Sequence, residues 1–370
     1  MRESLPKIVL AAVLKPINDT RMFEKFAQSL AGEYEVHIIG FEAEVPDIFP
    51  QAIHFHPIFK FDRKEHSRWN ASQLFLKTLD QLNPDFLIIH AVELLPAACW
   101  YSIKKRIPLC YDVRENYWRN IIYQDHYPNL IKLPLAIGVR SLEYCSRFVV
   151  KLYFLAERNY EQEFRFSRGK STILENKFKV LLTHLPAKVP NEIMHFVYTG
   201  TISVIYGAKE AFELMEQLVS TGFKLKFTML GKIADVTLGN WLAQKATQYS
   251  WFFWKGATQS IPHPAIIALL AQADSALLPY QPNKSTENCI PTKLYECLAL
   301  GVPMIIQQND LWESSCQAHQ AALFIDYCQP NVHELIKQLT AMNFYPNGAV
   351  KAAEWQKEAT DLRHIIQSLQ

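Results

Sequence analysis

Between Ile290 and Ile306 the chain reads "IPTKLYECLALGVPMII". A proline opens a short segment with one apolar face, a glycine and a second proline close it, and a β-branched run follows. That order spells loop, helix, tight turn and buried strand. Lys293 and Glu296 fall in the first turn and a half of this helix, three residues apart and so on neighbouring positions of one face. The helix dipole disfavours a lysine at that end. An anion seated over the helix start would reverse the sign, because the unpaired N–H groups there favour phosphate. A surface lysine–glutamate pair worth roughly 0.2–0.5 kcal/mol is the plainer alternative.

The same strand–helix alternation runs from end to end. A first series of apolar, β-rich runs covers 8–14, 35–41, 52–58, 85–90, 108–113 and 148–153. A second covers 194–200, 224–230, 251–254, 275–280, 303–307 and 322–326. Segments with helical spacing, such as "RMFEKFAQSLA" and "KEAFELMEQLVS", lie between them. Near-continuous apolar strands alternating with helices are the signature of parallel sheets covered on both faces. The two series are separated by "THLPAKVPNEI", with two prolines in a polar stretch. The pattern predicts two doubly wound α/β domains of about six strands each, facing across a cleft. Their expected extents are 1–183 and 194–345, joined by a linker at 184–193. "AVKAAEWQKEATDLRHIIQSL" (349–369) reads as one long amphipathic helix, and 346–370 is expected to pack back on the N-terminal domain.

At 370 residues the chain exceeds one typical core, in keeping with that division. A net charge of +2 gives no reason to expect nucleic-acid binding. The charge is uneven, however: from Tyr101 to Lys170 there are thirteen Lys and Arg against seven Asp and Glu, in an aromatic-rich stretch. A solvated helical surface and a patch that meets an anionic membrane both fit that composition. The seven cysteines form no C-x-x-C pair, so buried thiols in a reducing compartment are expected rather than a disulfide or zinc framework. The opening "MRESLPKIVLAAVL" looks like a first strand and a poor signal peptide. No run approaches eighteen uncharged apolar residues. The expectation is a cytoplasmic protein with, at most, a peripheral membrane contact.

"PTKLYECLALGVPMII" resembles the "P-S-K-x-x-E-Y-M-A-x-G-x-P-V-I" segment of family-4 glycosyltransferases, whose fold is GT-B, two Rossmann-like domains. Further motifs follow that family's order. "PINDTRMFEKFAQSLAGEYEVHIIG" resembles its first loop and helix, and "PDFLIIHAVELLPAA" and "IPLCYDVRENY" its next strands. "FVYTGTISVIYG" resembles the first strand and loop of the donor domain, and "WKGATQSIPHPAIIALLAQADSALLPY" the run ending in "A-D". The resemblance implies transfer of a sugar from a nucleotide diphosphate sugar, of UDP or GDP type, to a glycan, lipid-linked or small-molecule acceptor. It further implies retention of configuration and no metal or other cofactor. By matching position Glu296 would hold the ribose, and Lys293 with the helix N–H groups of Thr292 and its neighbours would hold the diphosphate. Gly200, Thr201, Lys232 and Gly256 complete the expected nucleotide-sugar site.

The chain departs from the family at several points. A glutamate eight residues before Glu296 is here Asn288, beside Glu287. The Arg and Lys of the donor-domain loop are Thr201 and Tyr206, and the histidine of "Y-D-x-H-E" is Arg114. Lys293, Lys232, Lys177 or Arg21 could supply the missing positive charge. Candidate catalytic groups are His90 at a strand's carboxyl end, Asp19, Glu115 and Asn288. Two rivals stay open: an epimerase of the same fold, needing acid/base groups such as Asp19, His90, Asp112 or Glu115, and a non-catalytic nucleotide-sugar scaffold. His54 and His56 share a strand face but lack a third ligand nearby, so no metal site is expected. His263, between two prolines, reads as a loop residue at the start of the next helix. The loop after the first strand, "LKPINDTR", has no glycine, which disfavours a nicotinamide dehydrogenase.

Overall fold

A strand that is apolar at every position must bury both faces, and parallel pairing with helices on either side permits that. The computed structural model describes residues 5–61, 70–124, 127–180, 188, 192–259 and 261–369. It folds into two units, Met1–Lys179 with Trp355–Gln370, and Val180–Glu354.

In the first unit β1 (Lys7–Pro16) leads into helix α1, π-wound over Thr20–Ala27 and α-helical over Gln28–Leu30. β2 (Glu35–Phe41), β3 (Ile53–Phe59), α2 (Ala71–Leu82) and β4 (Phe86–Ile89) follow. Next come α3 (Leu95–Lys105), β5 (Leu109–Val113), α4 (Tyr117–Tyr123) and α5 (Asn129–Ser146). β6 (Leu152–Leu155), α6 (Tyr160–Glu163) and β7 (Ser171–Ile173) complete the sheet, on which the strands pair in parallel in the order β3-β2-β1-β4-β5-β6-β7. Ile8 to Val13 of the central β1 have no exposed surface. The order in which strands are added reverses between β1 and β4, the switch point where such sheets bind ligands.

The second unit repeats the plan. Its elements are β8 (Met194–Ile202), α7 (Ala208–Ser220), β9 (Leu225–Ile233), α8 (Val236–Gln248), β10 (Phe252–Ala257) and α9 (His263–Ala271). Then come β11 (Ser275–Leu278), α10 (Thr292–Leu300), β12 (Met304–Gln307), α11 (Asp310–Gln317), β13 (Ala322–Ile325) and α12 (Val332–Ala341). The strand order is β10-β9-β8-β11-β12-β13, again parallel, with the switch point between β8 and β11. The core groups Phe196, Phe212, Met215, Phe227, Met229 and Ile305 around the middle of this sheet.

The structure corrects several expectations. The first sheet has seven strands, because the polar "STI" pairs as edge strand β7 with β6. The strand expected at 148–153 begins only at Leu152, since the N–H groups of Val149 and Val150 turn back onto the Ser146 carbonyl at 2.9 and 2.8 Å. The C-terminal helix, α13, spans Gln356–Ser368 rather than 349–369. Val350 gives its N–H to Leu298 O at 2.8 Å and Trp355 gives its N–H to Phe178 O at 2.7 Å, so no helix can run through them. α13 belongs to the first unit, where Trp355 is buried and α1 packs on the helix. Of the expected linker, only residues 188, 192 and 193 are among those described. All seven cysteines are free, but only Cys110, Cys297 and Cys316 are buried; Cys145 and Cys328 are exposed.

Gly200 and Gly231 sit opposite each other on β8 and β9. Gly200 has φ +109, and a Cβ on Gly231 would lie 1.8 Å from the Gly200 carbonyl oxygen. Gly231→Ala should therefore force the two backbones apart and destabilise the second unit by about 3 kcal/mol or more. Gly138→Ala, in the interior of α5 with nothing within 4 Å, should instead stabilise by roughly 0.5–1 kcal/mol. Urea unfolding of the two variants measures both; equal effects would contradict the packing.

Candidate functional site

In each unit the chemistry gathers at the carboxyl ends of the central strands. In the second unit the loops after β8 and β11 are pressed together. Gly207 opens α7 at φ +72, and a Cβ there would lie 1.9 Å from the Pro279 carbonyl oxygen. Gln281 N–H donates to Ile205 O at 3.2 Å, and the rings of Tyr206 and Tyr280 stand 5.4 Å apart. The Tyr198 hydroxyl reaches the carbonyls of Thr201 and Tyr206 at 3.2 and 3.1 Å, bracing the loop between them.

Helix starts at this edge fall into two kinds. α8, α11 and α12 are capped by Asp235, Asn309 and Asn331, whose side chains accept a first-turn N–H. α7, α9 and α10 start after Gly207, Pro262 and Pro291 with no side-chain cap. α7 and α10 flank the switch point. Ala208 N–H of α7 donates to Ser203 O at 3.2 Å and Leu294 N–H of α10 to Pro291 O at 2.9 Å, but no side chain covers either start, and the helix dipole favours an anionic acceptor there.

Lys293 lies on the first turn of α10, only 8% exposed. Its Nζ donates to Glu296 Oε2 at 2.6 Å. The other carboxylate oxygen, Oε1, lies 3.3 Å from His263 Nε2 at the first residue of α9. The expected surface pair is thus a buried one, with a third member that sequence spacing did not reveal. Burial alone would raise the Glu296 pKa, but the Lys293 charge and the His263 hydrogen bond outweigh it and lower the pKa to about 2.

The remaining sequence candidates of this unit spread along the same edge. Thr292 opens α10, and Gly200 and Thr201 lie near the end of β8. Lys232 stands opposite Thr201 in register, and both side chains are exposed. Gly256 stands opposite Gly231, and a Cβ on it would meet the Trp254 indole at 2.1 Å, so its small size serves packing. Asn288 is exposed in the turn before α10.

In the first unit three neighbouring strands deliver six charged groups and one histidine. Arg21 holds Asp112 through Nε (2.8 Å to Oδ2) and Nη2 (2.6 Å to Oδ1), both side chains being fully buried. Arg114 grips Asp19 in a two-pronged pair at 2.7 and 2.9 Å, while Asp19 also caps α1 by accepting from Arg21 N and Met22 N. Lys15 reaches Glu115 at 2.7 Å. Burial works to raise the three carboxyls, yet Arg114 beside Asp19, Arg21 beside Asp112 and Lys15 beside Glu115 hold all three below the ordinary range. They are anions near neutral pH, poor proton donors but able to accept a proton. Arg21 and Lys177, considered as sources of positive charge for a diphosphate, are likewise committed here. Lys177 pairs with Glu358 at 2.6 Å.

His90 follows β4 and places Nδ1 2.7 Å from Asp112 Oδ2. Burial lowers its pKa despite that carboxylate, so the ring is neutral. An ionised carboxylate only accepts, so Nδ1 carries the proton and Nε2 keeps its lone pair. Among the described residues neither His90 Nε2 nor Arg21 Nη1 has a hydrogen-bond partner. Asp112 thereby fixes the orientation of both side chains, a pairing across 22 and 91 residues of sequence that spacing could not reveal.

The chain matches no family model, and no curated protein matches its sequence. Solved structures do. Sucrose-phosphate synthase from Thermosynechococcus elongatus is 11% identical with a TM-score of 0.69, covering 98% of this chain and 99% of its own. HepE from Anabaena, in complex with UDP and glucose, is 13% identical with a TM-score of 0.63, over 98% and 99%. The catalytic domain of starch synthase IV from Arabidopsis thaliana, bound to ADP and acarbose, is 11% identical with a TM-score of 0.62, over 99% of each chain. The two parallel sheets of seven and six strands are thus the two Rossmann-like units of the GT-B fold, as the motifs led us to expect.

Glu296 has an acid-limb signature. A carboxyl whose folded pKa of about 2 lies below its unfolded value of 4.5 adds stability that is complete above pH 4.5 and is lost as pH falls toward 2. Glu296→Gln should flatten the decline of the second unit's stability between those limits, measured by urea unfolding across pH. It should also destabilise the protein near pH 7 by about 3–5 kcal/mol, because Lys293 stays buried without its anion. An unchanged acid limb would contradict the buried pair.

Proposed function

We propose that the protein is a glycosyltransferase that moves a sugar from a nucleotide diphosphate sugar to an acceptor, with the donor held by the second unit. The observation that carries this reading is Lys293, buried on the uncapped first turn of α10 beside the switch point and paired with Glu296 at 2.6 Å. The fold supports it, since proteins sharing that fold bind UDP with glucose or ADP with acarbose.

In this reading the diphosphate lies over the starts of α10 and α7, where no side chain caps the helix, and accepts from the first-turn N–H groups of α10. Lys293 turns from Glu296 to the diphosphate, and the released carboxylate accepts from the ribose hydroxyls. Cleavage of the bond to the anomeric carbon leaves negative charge on the departing diphosphate. A cation and N–H dipoles already in place stabilise that charge without reorganising at the moment of reaction. Transfer proceeds with retention and without a metal, from a donor of UDP or GDP type, to a glycan, lipid-linked or small-molecule acceptor bound by the first unit. A second reading, a nucleotide-sugar-binding scaffold, is favoured by Thr201 and Tyr206 standing where the family has Arg and Lys.

Incubation with labelled UDP- and GDP-glucose separates the readings. Slow release of free nucleotide supports transfer, and tight binding without release supports the scaffold. Epimer formed without release would overturn both. Lys293→Ala should slow release by roughly 30- to 800-fold, the equivalent of 2–4 kcal/mol of lost charge-assisted contact. It should also lose most of the rise in melting temperature that UDP gives the unaltered protein. An equal rise in both proteins would show that Lys293 does not touch the diphosphate.

A further inference from the structure

We propose that the outward face of α5, with the adjoining end of α3, docks on an anionic lipid bilayer. A helix on the surface of a folded unit normally turns its apolar side inward. α5 buries little that is apolar, Ala136 being its one fully buried apolar side chain. Its inner positions carry Arg140 and Glu143, paired at 3.1 Å with the Glu143 side chain fully buried, and the Tyr111 hydroxyl donates to that carboxylate at 3.3 Å. Its outer positions carry Leu130, Leu133, Ile137 and Leu142, exposed by 93, 54, 50 and 43%, and Phe148 just beyond the helix is 75% exposed. α3 packs beside α5 and adds Trp100 and Ile103, exposed by 50 and 64%. Single exposed apolar side chains are ordinary, but a stripe along the length of one helix marks an interaction surface.

Charge selects the occupant. From residue 127 to 156 the one acidic side chain is Glu143, which points inward, whereas Lys132, Arg147 and Lys151 share that stretch. Lys104, Lys105 and Arg106 add to them at the end of α3, where Asp80 of α2 meets Lys105 at 3.8 Å. The Arg147 guanidinium lies 3.9 Å from the Tyr144 ring centre, and Lys104 Nζ 4.5 Å from that of Trp100. Cations laid along aromatic faces above an apolar stripe match the layering of headgroups over acyl chains. A second copy of the chain would set these cations against one another, while anionic headgroups neutralise them. Among the described residues no helix is long and apolar enough to cross a membrane, so α5 lies in the interface plane.

The inference stands apart from the glycosyl-transfer reading, because lipid binding can be measured without any nucleotide. The full chain is sedimented with vesicles of phosphatidylcholine alone and of phosphatidylcholine mixed with phosphatidylglycerol. Binding should favour the anionic vesicles by about tenfold or more and weaken with added salt. Leu130→Ser with Ile137→Ser should cut it by roughly tenfold or more, and Lys104→Glu with Lys151→Glu by roughly fivefold per cation. Melting temperature should stay unchanged in both variants, since these side chains are at the surface. Equal binding to both lipids, no sedimentation, or an unaffected serine variant would each overturn the proposal. So would a wild-type dimer in solution that the serine variant abolishes, which would make a second copy the occupant.

Discussion

The ion pair between Lys293 and Glu296 is the contact on which the functional account rests. A lysine on the first turn of a helix faces a repulsive dipole, and burial removes most of the water that would screen it. Glu296 at 2.6 Å offsets both costs, with His263 holding the second carboxylate oxygen. A buried pair of this kind adds little net stability compared with apolar side chains of the same volume. In the function proposed above, its value lies in what it keeps ready: a cation and an anion beside a helix start that no side chain caps, able to exchange partners when a ligand with both phosphate and hydroxyl groups arrives.

The same constraint shapes both sheets. Strands buried on both faces have no room for charge along their length, so ionisable groups collect where strands end. In the first unit that edge carries Asp19, Arg21, Asp112, Arg114 and Glu115 in a nearly closed set of pairs. His90 is oriented by that set rather than exposed by it, through Asp112 and through the edge of the Phe26 ring. In the second unit the edge is left more open, with Thr201, Lys232 and Asn288 exposed. One edge is organised by neutralised charge and the other by helix starts that no side chain caps. That difference is the support for proposing the second unit as the donor side.

Much of the fold was legible because parallel strands leave a simple mark, a short run of apolar residues between turn signals. The readings failed where that mark is absent or copied. β7 is an edge strand and tolerates the polar "STI", so it carries no apolar signal. "FVV" ahead of β6 imitates a strand while serving a turn. The C-terminal helix keeps its period upstream of Gln356, but the backbone N–H groups of Val350 and Trp355 are spent on distant carbonyls. In the site, Lys293 and Glu296 were readable because their partnership is local. His263, 33 residues from Glu296, and Arg21, 91 residues from Asp112, were not, because contacts of that range are set by topology rather than spacing. α5 shows a further limit. Its apolar period is plain in the sequence, but which side of the helix faces inward is decided by Arg140 and Glu143.

A crystal structure of the protein with UDP bound tests the central claim most directly. The account predicts the diphosphate within hydrogen-bond distance of Lys293 Nζ and of the first N–H groups of α10, with the 2.6 Å contact to Glu296 broken and the carboxylate turned to the ribose. A diphosphate bound elsewhere, with Lys293 and Glu296 still paired, would contradict it.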